Sequence, residues 1–152
     1  MAAKSIDRGL AAHVRLAKAI HGRGVKFGIQ ANAGKDPETG ADLLDIAIFN
    51  EFGTETVPPR PFMRDFVEKN EEALGTAMDR LASAVQEGRI GADAGLDQLG
   101  AFVEKHQKAH VQQSKKWAKR NAESTIAKKG SDVPLIDDGL MVNAIRYEKV
   151  GK

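Results

Sequence analysis

An α+β fold is what the sequence predicts: a small antiparallel sheet packed against long α-helices, with an extended proline-rich loop. Three observations carry that expectation. Phe62, Met63, Phe66, Val67, Leu74, Met78, Leu81 and Val85 recur on one helical face over residues 62–88, a helix roughly 40 Å long at 1.5 Å per residue. Val25, Phe27 and Ile29 alternate with Lys26, Gly28 and Gln30, and residues 145–150 read as a second strand that pairs with this one. Pro58, Pro59 and Pro61 fix three backbone angles and push the residues before them into extended conformations, so residues 54–60 form no regular element.

The elements follow in order. Ser5 is placed to cap an opening helix whose apolar residues Ile6, Leu10, Val14, Ala17 and Ile20 lie three or four apart, and Gly22 and Gly24 end it. After the first strand, residues 32–40 are turn chemistry around Gly34, Pro37 and Gly40. Residues 42–52 fit two patterns, a helix through Leu43, Leu44, Ala47 and Ile48 or a strand through Leu44, Ile46 and Ile48, and the reading leans to helix. Gly53 closes that element and residues 53–61 form the extended arm. Pro61 suits the first turn of the long helix, where its missing N–H costs nothing.

Asp93 is placed to cap a second long helix with Leu96, Leu99, Phe102 and Val103 inward. The stripe turns polar at His106, His110 and Gln113, so the half that runs towards Trp117 is expected to be less buried. Residues 128–132 are a polar link around Gly130. Pro134, Leu135 and Ile136 return to the core, and residues 137–139 turn before the last strand. With no internal repeat or low-complexity block, residues 1–152 read as a single domain.

Composition excludes several classes. The 152 residues are 41% apolar and 29% charged, which sets aside a disordered chain and a collagen-like repeat. No apolar run approaches the ~18 residues of a spanning helix, so no membrane is expected, and no leader is seen at the start. The absence of cysteine rules out disulfides, thiol catalysis and cysteine-based zinc, and suits an intracellular or particle-assembled protein. The net charge is only +2, but it is unevenly spread. Residues 105–129, read as a basic helical stretch, hold Lys105, Lys108, Lys115, Lys116, Lys119, Arg120, Lys128 and Lys129 against Glu123 alone. That stretch is either a solvated helix face or a contact face for nucleic acid or an acidic protein, centred on Lys108, Lys115, Lys116, Lys119 and Arg120. Trp117 is its single aromatic residue, which argues against a platform for stacking bases.

Sites with catalytic chemistry fail on spacing. Residues 28–36 invite a phosphate-loop reading, but five residues separate Gly28 from Gly34 where four are needed, and Asp36 stands where a hydroxyl belongs. His106 and His110 are one turn apart, yet Gln107 occupies the place of the metalloprotease glutamate and no third ligand is near. Asp137 and Asp138 are turn neighbours and do not face a common substrate. Ser5, Ser83, Ser114, Ser124 and Ser131 lack a nucleophile elbow. The expectation is therefore no enzyme, with no catalytic residue, no metal and no cofactor.

What remains is Asn50-Glu51-Phe52-Gly53-Thr54 followed by Val57-Pro58-Pro59-Arg60-Pro61-Phe62-Met63-Arg64. Physically this is a stiff segment, either an arm that loses little entropy on docking or a rigid crossover within one domain. Glu51 is placed to pair with Arg60 or Arg64. Some 60 residues on come Ser124-Thr125-Ile126-Ala127-Lys128-Lys129-Gly130 and Pro134-Leu135-Ile136-Asp137-Asp138-Gly139-Leu140. The ordered pair of motifs, with a long helical region between, resembles the tail-component family of long-tailed bacteriophages, also described as tail-completion or neck proteins. The resemblance covers most of the chain. It departs at Asp138, where the family usually has Thr, and at Ala144, where it often has Ser; both bear on the turn near Gly139.

The resemblance implies a virion structural protein with no catalytic centre, one that completes the tail or joins it to the head as part of a ring around the DNA channel. It implies self-association, with six-fold symmetry as the family-level expectation. The partners would be connector, tail terminator or tail tube proteins, with DNA passing nearby in the channel. The location would be the virion neck or tail end, after synthesis in the host bacterial cytoplasm. Contacts would involve Asn50, Glu51, Phe52, Gly53, Thr54, Pro58, Pro59, Arg60, Pro61, Phe62 and Arg64, together with Pro134, Leu135, Asp137 and Gly139. A ring needs a heterologous interface, with different surfaces meeting on successive copies. The alternatives are a basic nucleic-acid-binding module and an assembly factor absent from the mature particle.

Overall fold

The long apolar stripe does form a helix, and so does the ambiguous segment before it. The structure, a computed structural model, describes residues 9–151. Its elements are α1 (Leu10–Ile20), β1 (Gly24–Ile29), α2 (Leu43–Phe52), α3 (Phe62–Gln86), α4 (Ala92–Gln112), a 3-10 turn (Ser114–Lys116), α5 (Glu123–Lys129), α6 (Leu140–Ala144) and β2 (Ile145–Val150). The two strands pair antiparallel, from Gly24 opposite Val150 to Ile29 opposite Ile145. The fold is α+β, a small sheet against long helices.

α4 is the central element, packed against α3, both strands and α6. Gly100 lies beneath the Tyr147 ring, where a Cβ would overlap the ring atoms, so only glycine lets the helix approach β2 this closely. One turn on, Glu104 Oε2 accepts the Tyr147 N–H at 3.0 Å. Ala47, Phe62, Val111, Met141, Val142 and Ile145 form the buried core, with Ile29, Met63, Trp117 and Leu135 packed around it. Phe27 meets Phe66 edge-on, ring centroids 6.0 Å apart, joining sheet to helix.

Several expectations need correction. Ser5 and Ile6 lie outside the described residues; the described helix is preceded by Gly9 at φ 102°. On α3, Val67 and Met78 are exposed, because the helix has neighbours along only part of its stripe. Gly91, not Asp93, is the cap of α4, and the Asp93 carboxylate instead meets Arg23 and Lys149. The second half of α4 is the more buried half. Gly100, Val103, Gln107, Val111 and, just beyond it, Ser114 form the inner stripe, at helical spacing but with only two large apolar residues. Residues 105–129 are not one helix, since the chain breaks at Gln113, turns through Ser114–Lys116 and restarts at Glu123. The short helix α5 ends the stretch read as helical and runs into the link, and α6 fills residues 140–144 between the turn and the last strand.

Candidate functional site

Both motif segments border one cleft of about 870 Å³. One wall is the proline segment from Thr54 to Arg60; the other runs from Lys119 through Thr125 and Lys129 to Leu140, and the buried Leu43 and Met141 also line it.

The first wall is built by its own hydrogen bonds. Gly53 adopts φ 78°, and a Cβ there would stand 2.9 Å from Pro59, so both the angle and the space demand glycine. Thr54 Oγ1 accepts the Val57 N–H at 3.0 Å, and the Thr54 N–H donates to Val57 O at 2.8 Å. At the base, the Arg60 N–H donates to Asn50 O at 2.6 Å. Of the alternatives for this segment, the crossover is visible in these contacts within the chain.

Glu51 pairs with Arg64, not Arg60. Its buried carboxylate accepts the Met63 N–H at 2.9 Å, the Arg64 N–H at 3.3 Å and Arg64 Nε at 2.9 Å, while an Arg64 terminal nitrogen donates to Glu51 O at 3.0 Å. Pro61 offers no side-chain cap, so Glu51 caps α3 from the end of α2, where its charge also suits the positive helix terminus.

Arg60 crosses to the other wall. Its Nε donates to Lys119 O at 2.8 Å and a terminal nitrogen donates to Asn121 Oδ1 at 3.1 Å. No carboxylate pairs with it among the described residues, and burial pushes its pKa down. Asn121 Nδ2 donates on to Val133 O at 3.3 Å, and Lys129 Nζ donates to Val133 O at 3.0 Å and to Ile136 O. Burial also pushes the Lys129 pKa down, opposed by the Asp137 charge. The fully buried Ser114 donates to Pro134 O at 2.5 Å. These donors hold Leu135 at φ 62°, a left-handed conformation that is strained for a branched side chain.

Gly139 then turns at φ 84°, and Asp138 Oδ1 accepts the Leu140 N–H at 3.0 Å, opening α6. Asp138 thus supplies here the local backbone hydrogen bond that a threonine would give.

Glu51, Arg60, Phe62 and Pro134 are buried, and of these Arg60 lines the cleft. Phe52, Thr54, Pro59, Arg64 and Asp137 are exposed, whereas Asn50, Gly53, Pro58, Pro61, Leu135 and Gly139 are half-buried. The basic residues fall on α4, on the 3-10 turn and in the loop after it. Lys108 pairs with Glu104 at 2.7 Å, Lys115 with Asp132 at 2.8 Å and Arg120 with Glu123 at 2.5 Å, while Lys116 donates to Gln113 Oε1. Lys119 is exposed at the cleft rim.

The histidines diverge. His106 Nδ1 lies 2.7 Å from Phe102 O on the surface, whereas His110 stacks on Trp117 at 4.4 Å with its Nε2 2.9 Å from Asp65. Among the described residues no three His, Asp or Glu side chains gather as metal ligands. Asp36 is engaged by the Glu38 and Thr39 N–H groups, both at 2.8 Å, in a turn rather than a phosphate loop. No helix among the described residues is long and apolar enough to cross a membrane.

Sequence reasoning missed Ser114, Asn121 and the inward role of Lys129. A buried serine and asparagine carry no periodic signal, and Lys129 was counted with the surface charges. No protein-family model matches this chain, and neither a curated protein nor a solved structure matches it.

Proposed function

We propose that this chain is a bacteriophage virion structural protein at the head–tail interface, completing the tail or joining it to the head as part of a ring around the DNA channel. The observation that supports this reading is the convergence of its two motif segments, far apart in sequence, on one cleft spanned by Arg60. The conformations around Gly53, Leu135 and Gly139 are braced by hydrogen bonds, those beside Leu135 coming from side-chain donors to main-chain carbonyls, as suits a shaped docking surface, and the chain has no role in catalysis on this reading. Its partners are further copies of itself and the connector, tail terminator or tube proteins next to it. It is made in the host cytoplasm and ends in the virion neck.

A nucleic-acid-binding role draws less support, because Lys108, Lys115 and Arg120 already pair with carboxylates. Negative-stain microscopy of a lysate from phage lacking the gene tests the proposal. Filled heads beside detached tails, or tails of abnormal length, are expected; normal joined and infectious particles would overturn it. The protein content of wild-type particles separates a resident neck component from an assembly factor that leaves.

A further inference from the structure

A second surface lies away from the cleft, where α2 meets the start of α3 and β1. It is a groove of about 340 Å³, lined by Phe27, Leu44, Ile48, Phe52 and Met63 among others. Phe52 is 65% exposed and Phe49 beside it 52% exposed. Asp45, Ile48, Phe49 and Phe52 fall within about 100° of arc on α2, so the carboxylate stands inside the apolar face. Of the two acidic side chains of α2, Glu51 is buried and paired with Arg64, which lies over the Phe52 ring, so Asp45 is the exposed charge of this face.

α1 has the opposite character. It contains no acid, and it buries none of its residues. Leu10, 72% exposed, Val14, 44% exposed, and Ala17 line its outward stripe, with Arg15 and Lys18 along one flank. The side chains of Asp45, Arg15 and Lys18 have no hydrogen-bond or ion-pair partner among the described residues.

The two faces sit at opposite ends of α3. His13 of α1 meets Gln86, whereas Glu51 of α2 meets Arg64, and those positions on α3 are separated by roughly 33 Å of helix. One copy's α1 therefore does not reach its own groove.

We infer that copies of this chain associate head to tail, the outward face of α1 on one copy seated in the α2–α3 groove of the next. Leu10 and Val14 meet Ile48, Phe49 and Phe52, and Arg15 and Lys18 approach Asp45. The contact is heterologous, so it generates a ring if the rotation closes and a filament if it does not. Closure into a ring rests on the neck reading above; the contact itself rests on the two faces.

The absence of native cysteine makes a directed cross-link clean. Purified full-length V14C and F49C chains, mixed and oxidised, are expected to give the mixed disulfide dimer in preference to either like pair. Unchanged circular dichroism establishes that both variants are folded. In sedimentation, Val14→Asp is expected to weaken self-association by about tenfold or more. Asp45→Lys weakens it too, and Lys18→Glu in the same chain restores it.

Like pairs alone, or no cross-link up to the solubility limit, would overturn the inference. A mixed dimer together with normal assembly of phage lacking the gene would sink the neck reading and leave this interface standing. Blocked assembly without a mixed dimer would do the reverse.

Discussion

Arg60 is the residue on which the two halves of the cleft depend. A buried guanidinium held by main-chain and amide oxygens keeps its charge only while those acceptors stay in place. Arg60→Ala leaves the Lys119 carbonyl and the Asn121 amide oxygen without their donor, and we expect a loss of roughly 3 kcal/mol in chemical denaturation. Arg60→Lys is expected to restore less than half of that, since a single ammonium does not reproduce the planar fork. Full restoration by lysine would mean that the charge matters and the geometry does not. His110 provides a second residue-scale test. Burial lowers its pKa against the opposing pull of Asp65, so the folded state favours the neutral ring. Stability is then lost as pH falls below the ordinary histidine value of about 6.5. Trp117, the one tryptophan of the chain, stacks on this ring, so its emission is expected to titrate with a midpoint below 6.5 and to lose that step in His110→Gln. A step that persists in the variant would contradict the assignment.

At the scale of elements, α4 explains both what the sequence makes legible and what it hides. α3 and the two strands announce themselves through apolar spacing, turn residues and proline, whereas the spacing in α2 fits a helix and a strand alike. The burial of α4 does not, because its inner stripe alternates Val103 and Val111 with Gly100, Gln107 and Ser114. An apolar count follows Leu96, Leu99 and Phe102 instead, which are only half-buried. Gly100 is inside because Tyr147 covers it, and Ser114 because Pro134 O needs a donor; neither reason is written in the residue's own hydropathy. The cleft was legible as two motifs but not as one place, since nothing local links Arg60 to Asn121. Gln107 is fully buried, its Nε2 directed at the weak acceptor Met63 Sδ and its Oε1 without a partner among the described residues. Gln107→Met removes that unsatisfied amide at similar volume. Thermal and chemical denaturation are expected to show a gain of up to roughly 1 kcal/mol. A loss of 2 kcal/mol or more would mean that the amide has a partner the structure does not reveal.

Across the whole molecule, the strained and hydrogen-bonded segments gather on one side, while the apolar face of α2 and the basic face of α1 lie at the two ends of α3. If the proposed reading holds, these separate faces would meet unlike neighbours, as a ring-like assembly requires. On the proposed reading, the cleft is where a neighbouring protein docks. Thr125 and Lys119 are exposed on its rim, so Thr125→Arg and Lys119→Glu are expected to change stability by no more than about 0.5 kcal/mol. The most direct measurement is complementation of phage lacking the gene by the Thr125→Arg, Lys119→Glu double variant, after its melting curve has been matched to wild type. A folded protein and a sharp fall in infectious particles are expected, with heads and tails left unjoined or tails of abnormal length. Full complementation by that folded variant would contradict that reading.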